Sequence, residues 1–122
     1  MQSVFDHIRE ERITSLLVLA DPVLFTARRR VSELAIRALI PTMYSLREHA
    51  EEEGLISYSI NRRENYRRAA YFIHMILNGK CPAEIPIELP SGLELVVNVR
   101  AAKTIGLKLS ESLLARADEV IE

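Results

Sequence analysis

Cysteine and glycine are scarce in this chain of 122 residues, and long apolar runs are absent. The single cysteine, Cys81, excludes an internal disulfide and a thiol cluster for zinc or an iron-sulfur centre. None of the 4 glycines clusters into a phosphate-binding loop, which excludes the Walker and dinucleotide-binding motifs. The longest apolar run, Leu16–Ala20, is much shorter than the roughly 20 residues that span a bilayer.

Neither sign of charge dominates, because 16 lysines and arginines stand against 17 aspartates and glutamates. This balance gives no electrostatic argument for an anionic membrane or for nucleic acid, and we predict no nucleic-acid partner. Arginines cluster at 28–30, 62–63 and 67–68, where solvated or ion-paired helix faces are favoured and nucleic-acid binding is a minor alternative. The apolar fraction of 48% is typical of one globular domain with a hydrophobic core.

The residues that carry metal and nucleophile chemistry are scattered. His7, His49 and His74 fall on different predicted helices, and only His49 has carboxylates at the next turn. A metal site needs three or four convergent ligands, so we interpret His49 as part of a solvated helix face. No Gly-x-Ser-x-Gly turn occurs, and no nucleophile has a local base. We therefore predict no metal, no cofactor and no enzymatic activity, although an enzyme on a similar sheet is a weaker hypothesis.

Short apolar runs alternate with amphipathic segments along the whole chain. Strands are predicted at 15–20, 40–44, 55–60 and 93–99. Helices are predicted at 2–13, 26–39, 45–53, 61–79 and 101–105, and from Ser110 to the end of the chain. This alternation predicts an α/β fold with a parallel sheet flanked by helices. The first strand is apolar almost throughout, which predicts that helices cover both of its faces.

Capping residues predict where two of the helices begin and end. Ser45 and Glu48 form a candidate capping box, with Gly54 as the left-handed stop of that helix. Asn61 is a candidate cap for the next helix. The predicted buried face of this long helix consists of Tyr66, Ala69, Ala70, Ile73, Ile76 and Leu77. The proline-rich segment that follows, 81–90, is predicted to be an extended connector.

Parallel sheets bind ligands beyond the carboxyl ends of their strands. Asp21 follows the first strand, where its carboxylate either binds an ammonium or hydroxyl group of a ligand or only caps the turn. Ser57, Tyr58 and Ser59 end the third strand and offer hydroxyls and an aromatic face at the same edge. An ordinary strand end with a satisfied tyrosine is the alternative, and the residues alone do not choose between these interpretations.

An ordered series of segments carries a resemblance to a known family. The segments are Leu16–Pro22, Arg29, Ile40–Tyr44, Gly54–Ser59, Tyr66–Ala70, Ile76–Lys80 with Pro82, Ile85–Glu88 with Pro90, Glu94–Asn98, Ala102–Lys103, Gly106–Leu107 and Leu113–Glu122. In this order and spacing they resemble the C-terminal part of the ABC transporter substrate-binding proteins that include tryptophan- and tyrosine-type members. Two positions depart from the family pattern: Glu53-Gly54 replaces a double glycine, and Ser59 stands where a glycine is usual.

The resemblance implies a partial class I periplasmic-binding-protein fold, in which two α/β lobes close on a ligand about a hinge. It implies that residues 1–53 belong to the second lobe. Residues 54–92 would form a hinge crossing, a helix and the proline-rich arm, and 93–122 would form a returning strand and C-terminal helices. The helix at 61–79 would pack on the first lobe. Without that lobe, a partner chain would have to cover the apolar face of the helix.

The implied function is that of a solute-binding component, or a fragment of one, of an ABC importer. The expected partners are a small molecule such as an amino acid, bound in an interlobe cleft, and an ABC permease, with Phe25 and Tyr44 as stacking surfaces. The alternative is a truncated module that dimerises or regulates without transporting, for which a homodimer is the candidate assembly. The resemblance implies an extracytoplasmic location, whereas the lack of a signal peptide implies a cytoplasmic one if Met1 is the true start.

Overall fold

A computed structural model describes residues 2–90 and 92–122. The α-helices are α1 (Gln2–Glu10), α2 (Pro22–Thr26), α3 (Arg28–Arg37), α4 (Arg47–Glu51), α5 (Arg62–Leu77), α6 (Val99–Thr104) and α7 (Glu111–Arg116). The strands are β1 (Leu16–Val18), β2 (Thr42–Tyr44), β3 (Ile56–Ile60), β4 (Leu93–Asn98) and β5 (Glu119–Ile121). The chain divides into a sheet unit, formed by the described residues up to Ser59 with Glu94–Glu122, and an arm unit, formed by those of Ile60–Leu93.

The five strands lie in the order β1-β2-β3-β4-β5. The pairs β1–β2, β2–β3 and β4–β5 are parallel, which confirms the predicted α/β fold with a parallel sheet flanked by helices. The pair β3–β4 is different. Backbone hydrogen bonds join Asn98 N to the carbonyl oxygen of Leu55 (2.8 Å) and Asn61 N to that of Gly92 (2.7 Å), so these two strands run in opposite directions.

The end of the chain differs from the prediction of one continuous last helix. Ser110 caps α7 as predicted, but the helix ends at Arg116 and β5 follows. The amide of Asp118 donates to the carbonyl oxygen of Leu95 (2.9 Å), and the amide of Leu95 donates to the Asp118 carboxylate (2.8 Å). This exchange attaches the segment to β4, so its apolar residues pack as a strand and the helical interpretation of them was wrong.

The start and stop of α4 also differ from the prediction. Its N-cap is Leu46 rather than Ser45, and Leu46 provides no side-chain hydrogen bond to the helix. The left-handed residue after the helix is Glu53, with φ of 70°, and not Gly54. Gly54 is required for another reason, because a Cβ there would lie 2.5 Å from the carbonyl oxygen of His49. Gly54 is thus required because the backbone of His49 lies so close to it, and not because it ends the helix as predicted.

Three groups of buried apolar side chains form the core of the sheet unit. The first consists of Phe5, Ile8, Leu34, Ala35 and Ile40, the second of Val18, Val31 and Tyr44, and the third of Leu55, Ala101 and Ala102. Only one face of β1 is buried among the described residues, since Leu17 is 57% exposed. The prediction that both faces of the first strand are covered was therefore wrong in this respect, and β1 lies at the edge of the sheet.

The arm unit is dominated by α5. The Asn61 side chain accepts a hydrogen bond from Glu64 N at 3.1 Å, which confirms the predicted cap. The predicted buried face is exposed instead, and no residue of this fully described helix is buried. Leu77, for example, is 80% exposed. Although the stripe is apolar, no described helix combines the length and apolar character that a membrane span requires.

Candidate functional site

The first three strands are parallel, so their carboxyl ends point to the same edge of the sheet, and β3 continues to Ile60, beyond the level at which β1 and β2 end. Val18 is opposite Tyr44 across the β1–β2 pair, and Tyr44 is opposite Ser57 across the β2–β3 pair. The backbone continues this alignment past β2, because Ser45 N donates to the carbonyl oxygen of Val18 at 3.0 Å. The strands next to which the sequence predicted a ligand site are therefore neighbours in the sheet, and the predicted residues of β3 begin level with the end of β2.

Asp21 lies just beyond β1 and caps α2. Its Oδ1 accepts hydrogen bonds from the backbone amides of Val23 (2.8 Å) and Leu24 (3.1 Å), and Pro22 occupies the first helical position. This is the capping role that the sequence offered as the alternative to ligand binding. The residue is exposed, and a carboxylate can accept more than two hydrogen bonds. Capping therefore leaves the carboxylate able to accept a further donor.

Phe25 is half-buried on α2, next to a pair of charged side chains. The guanidinium carbon of Arg28 lies 5.1 Å from the centre of the Phe25 ring, within the range of a cation–π contact. Arg28 also forms an ion pair with Glu52, whose Oε1 is 3.5 Å from its Nη2. The ring of Phe25 is thus engaged by Arg28 on one side, and only part of it remains as a stacking surface.

Tyr44 is buried inside the sheet unit and does not reach solvent. Its ring stacks on that of His49, with centroids 4.7 Å apart and planes 19° from parallel. Burial raises the pKa of the Tyr44 phenol, and side-chain interactions with Ser32 and Thr42 lower it less strongly. Tyr44 is thus a neutral aromatic member of the core, and a direct contact between it and a ligand stays a prediction.

The three predicted residues of β3 lie on opposite faces of the sheet. Ser57 and Ser59 are buried on the same side as Tyr44, whereas Tyr58 is 46% exposed on the other. This follows from the alternation of side chains along a strand, which separates neighbours by one face. The structure thus brings Ser57 next to Tyr44, keeps Asp21 and Phe25 close in sequence as the cap and a member of α2, and leaves Tyr58 apart on the opposite face.

Three polar residues of the sheet unit were not recognised from the sequence. His49 is buried, so its interpretation as a solvated helix face was wrong. Asn98 is buried at the end of β4, where its amide donates to the carbonyl oxygen of Ala50 (3.1 Å) and its Oδ1 accepts from Ala101 N (2.9 Å). An asparagine placed directly between an apolar strand and a helix is a capping signal that could have revealed this role.

The third unrecognised residue is Arg47, which contacts three carboxylates at once. Its guanidinium nitrogens lie 2.7 Å from Glu51, 2.8 Å from Glu94 and 2.6 Å from Glu119. Hydrogen bonds to Glu51 and then to Glu119 raise the pKa of Arg47 most strongly, so the guanidinium stays charged. The i,i+4 spacing of Arg47 and Glu51 on α4 is a local signal for one of these pairs, but no local pattern relates Arg47 to Glu94 on β4 and Glu119 on β5.

Two cavities lie away from the predicted residues. One of about 220 Å³ in the sheet unit is lined in part by Asn98, Arg100 and Thr104. The other, of about 320 Å³, lies within the arm unit and includes Arg68 and Glu88. These two residues form a double hydrogen bond of 2.7 and 2.5 Å, so they already satisfy each other's charge. Among the described side chains, no group of three or more His, Cys, Asp and Glu residues is placed to hold a metal ion.

Comparisons with known proteins agree on the family and the fold. The family model for ABC transporter substrate binding proteins matches residues 1–121. This family comprises substrate-binding proteins rather than enzymes, as the sequence predicted. A conserved domain protein from Vibrio cholerae O1 biovar El Tor superposes with a TM-score of 0.85 at 25% identity, over 98% of this chain and 40% of its own. No curated protein matches the chain significantly.

Two further structures are similar in fold. An ABC domain from Streptococcus pneumoniae in complex with L-Trp superposes with a TM-score of 0.85 at 23% identity, over 98% of this chain and 40% of that one. An adhesive substrate-binding protein from Clostridium difficile, in its ligand-free open structure, gives a TM-score of 0.72 at 20% identity, with 98% and 41% covered. The chain therefore spans about two fifths of the length of these solved relatives.

Proposed function

Because this chain belongs to the ABC transporter substrate-binding protein family, we propose that it forms the C-terminal part of the solute-binding component of an ABC importer. The family match over residues 1–121 carries this proposal. The ligand is a small molecule such as an amino acid, for which the L-Trp complex of the Streptococcus pneumoniae protein is the supporting observation. The other partner is an ABC permease, and the location is extracytoplasmic.

In this proposal the ligand lies between two lobes, of which the chain supplies one and the hinge. Residues 1–53 form part of the second lobe, 54–92 form a hinge crossing, the helix and the proline-rich arm, and 93–122 return to the second lobe. The division of the chain after Ser59 and again before Glu94 supports this assignment. The apolar stripe of α5 packs on the first lobe, and its exposure here supports an interface with a surface that these 122 residues do not supply.

The candidate ligand contacts are divided between exposed and buried residues. Asp21 is exposed and suits the ammonium group of an amino acid, while Phe25 and Tyr58 offer aromatic surface. Three of the candidates are buried, namely Tyr44, Ser57 and Ser59. They contact a ligand only if the packing around them opens. One lobe therefore provides few polar contacts, and we expect weak binding by the chain alone.

The expected affinity of the chain for a ligand follows from dividing the binding free energy between the two lobes. A dissociation constant of about 1 µM corresponds to about 8 kcal/mol, so a lobe that supplies half of it binds at about 1 mM. Titration of the isotopically labelled chain with L-tryptophan and other amino acids, followed by NMR, measures such affinities. The amides around Asp21 and Phe25 should shift, and those around Tyr58 should shift as well if the ligand also reaches the opposite face of the sheet. Thermal-shift screening at 1 mM ligand should show little, because that occupancy stabilises by only about 0.4 kcal/mol.

Matched variants locate the site. Asp21→Asn retains the capping oxygen and should weaken amino-acid binding without unfolding α2. Thr104→Ser, beside the sheet-unit cavity, serves as the control for a site elsewhere. Shifts centred on Thr104 and unaffected by Asp21→Asn would place the ligand in that cavity instead. No shift at about 10 mM of any amino acid would contradict the proposed amino-acid site.

The exposed stripe on α5 also favours the second hypothesis, a module that dimerises and does not transport. Tyr66, Ile73 and Leu77 follow the spacing of one helical face, with Ala69 and Ala70 between them. Small residues at the centre of such a stripe allow a second helix to approach closely. A second copy of the chain would cover this surface in the way that the first lobe does in the leading proposal.

Sedimentation velocity at several concentrations distinguishes the two hypotheses. A self-associating chain should lose its dimer in Ile73→Glu, because a carboxylate in an apolar helix interface is strongly unfavourable. The neighbouring exposed His74→Glu makes a comparable charge change off the stripe and should leave the dimer intact. A monomer at all concentrations contradicts the dimerisation hypothesis and leaves the leading proposal standing.

A further inference from the structure

His49 occupies an unusual environment for an ionisable side chain. The residue is 1% exposed, and its ring is stacked on Tyr44. Neither ring nitrogen forms a hydrogen bond within the part of the chain that the structure describes. A neutral imidazole loses at most a modest free energy in such a position. An imidazolium, with two N–H donors and a full charge, would lose far more.

The backbone around His49 holds α4 in place. Gly54 N donates to the carbonyl oxygen of His49 at 2.7 Å, and Ser32 Oγ donates to the same oxygen at 3.4 Å. The Asn98 amide donates to the next carbonyl oxygen, that of Ala50, at 3.1 Å. These contacts join α4 to α3 and to the end of β4. Any change that forces the ring outward must therefore disturb contacts on several elements.

The charged groups that face the ring do not compensate for its burial. Burial is the largest influence and lowers the pKa of His49. The backbone of Leu46 and the carboxylate of Glu48 raise this pKa, the charge of Arg28 lowers it and the backbone of Leu24 raises it, each less strongly than burial does. Arg28 is paired with Glu52, and Tyr44, whose own pKa is raised by burial, provides no negative charge.

We propose that His49 is a proton-sensitive latch, which holds α4 against the sheet while the ring is neutral and loosens that contact when the ring takes up a proton. The direction of the effect follows from linkage. The unfolded chain binds the proton with a pKa of about 6.5, and the folded chain binds it less readily. Stability is therefore complete above about pH 6.5 and is lost as the pH falls below it, by up to about tenfold in the folding constant per pH unit.

The latch lies next to the candidate site, because Tyr44 ends β2 and is opposite Ser57. Protonation would loosen the cluster that includes both residues and would expose hydroxyls that are otherwise buried. This inference does not depend on the ligand or on the transport role, since it concerns the folding of the sheet unit alone. Its failure would leave the proposed function untouched.

Urea denaturation of the full chain between pH 5.5 and pH 7.5 tests the latch. The folding constant of the wild-type chain should fall by up to about tenfold from pH 7.5 to pH 5.5. His49→Phe retains a stacking ring without a titrating group and should lose this component of the pH dependence. The exposed His74→Gln is the matched control and should behave like the wild type. An identical pH profile for the wild type and His49→Phe would overturn the proposal.

A second measurement keeps the test decisive if His49→Phe does not fold. The imidazole protons of the wild-type chain can be followed by NMR as the pH is lowered. The His49 ring should titrate below pH 6.5, and the amides of 45–54 should broaden or lose protection when it does. Titration at or above about pH 6.5 with an unchanged α4 would refute the latch.

Discussion

Replacing Arg47 by methionine should destabilise the sheet unit more than the loss of an exposed arginine such as Arg29 does. The arginine binds Glu51, Glu94 and Glu119 at distances between 2.6 and 2.8 Å, and its side chain is 32% exposed. Methionine retains the apolar part of the side chain and removes the charge. Three carboxylates then remain close together without their shared cation, so repulsion among them adds to the lost hydrogen bonds.

The magnitude can be bounded from the exposure of the partners. Glu51 and Glu119 are 47% and 42% exposed, so screening by water limits each of their pairs to about 0.5 kcal/mol. Glu94 is only 17% exposed, and its hydrogen bond contributes about 1 kcal/mol. Arg47→Met should therefore reduce the free energy of unfolding by about 2 kcal/mol. With a urea m-value of about 1.5 kcal/mol/M, the midpoint shifts by about 1.3 M.

The assay is urea denaturation monitored by circular dichroism at neutral pH. The matched control is Arg29→Met, which removes an arginine that is 79% exposed and paired only with Glu33 among the contacts described. This control should cost less than about 0.5 kcal/mol. Equal effects of the two substitutions at neutral pH would refute the network.

Two further predictions concern the turn after α4. Glu53→Gly should stabilise the chain by about 0.5–1 kcal/mol in the same denaturation assay, because Glu53 has φ of 70° and glycine adopts this conformation without a steric penalty. A loss of stability would show that the side chain makes a contact outweighing the backbone strain. Gly54→Ala should instead cost about 2 kcal/mol, since its Cβ would lie 2.5 Å from the His49 carbonyl oxygen and 2.7 Å from Tyr44 Cε2. A neutral result would contradict the close packing of that turn.

The sequence predicted the parts of the fold that depend on neighbouring residues. Asn61 and Ser110 cap their helices as expected, because a cap requires only a suitable oxygen and amides two or three residues away. The alternation of apolar strands and amphipathic helices was sufficient for the α/β class. Asp21 was placed correctly beyond β1, although the pattern could not show that its carboxylate caps α2.

Several of the wrong predictions depend on distant partners, whereas the Ser45 cap was wrong although it concerns only neighbouring residues. Residues 119–121 have an apolar pattern compatible with a helix or a strand, and only pairing with β4 made them a strand. The stripe on α5 was correctly recognised as apolar, but periodicity predicts a surface that favours burial and not one that is buried.

The sequence alone determined membership of the substrate-binding family, because the order and spacing of the matched segments can be read without knowing which elements meet in the fold. What only the tertiary structure decided is the state of individual side chains. In the folded chain His49 is buried in the core, Asp21 is exposed to solvent and three carboxylates surround Arg47, although all of these residues are polar in the sequence. Burial and charge pairing depend on which elements meet across the sheet, and that meeting is not encoded in the spacing of residues along one helix.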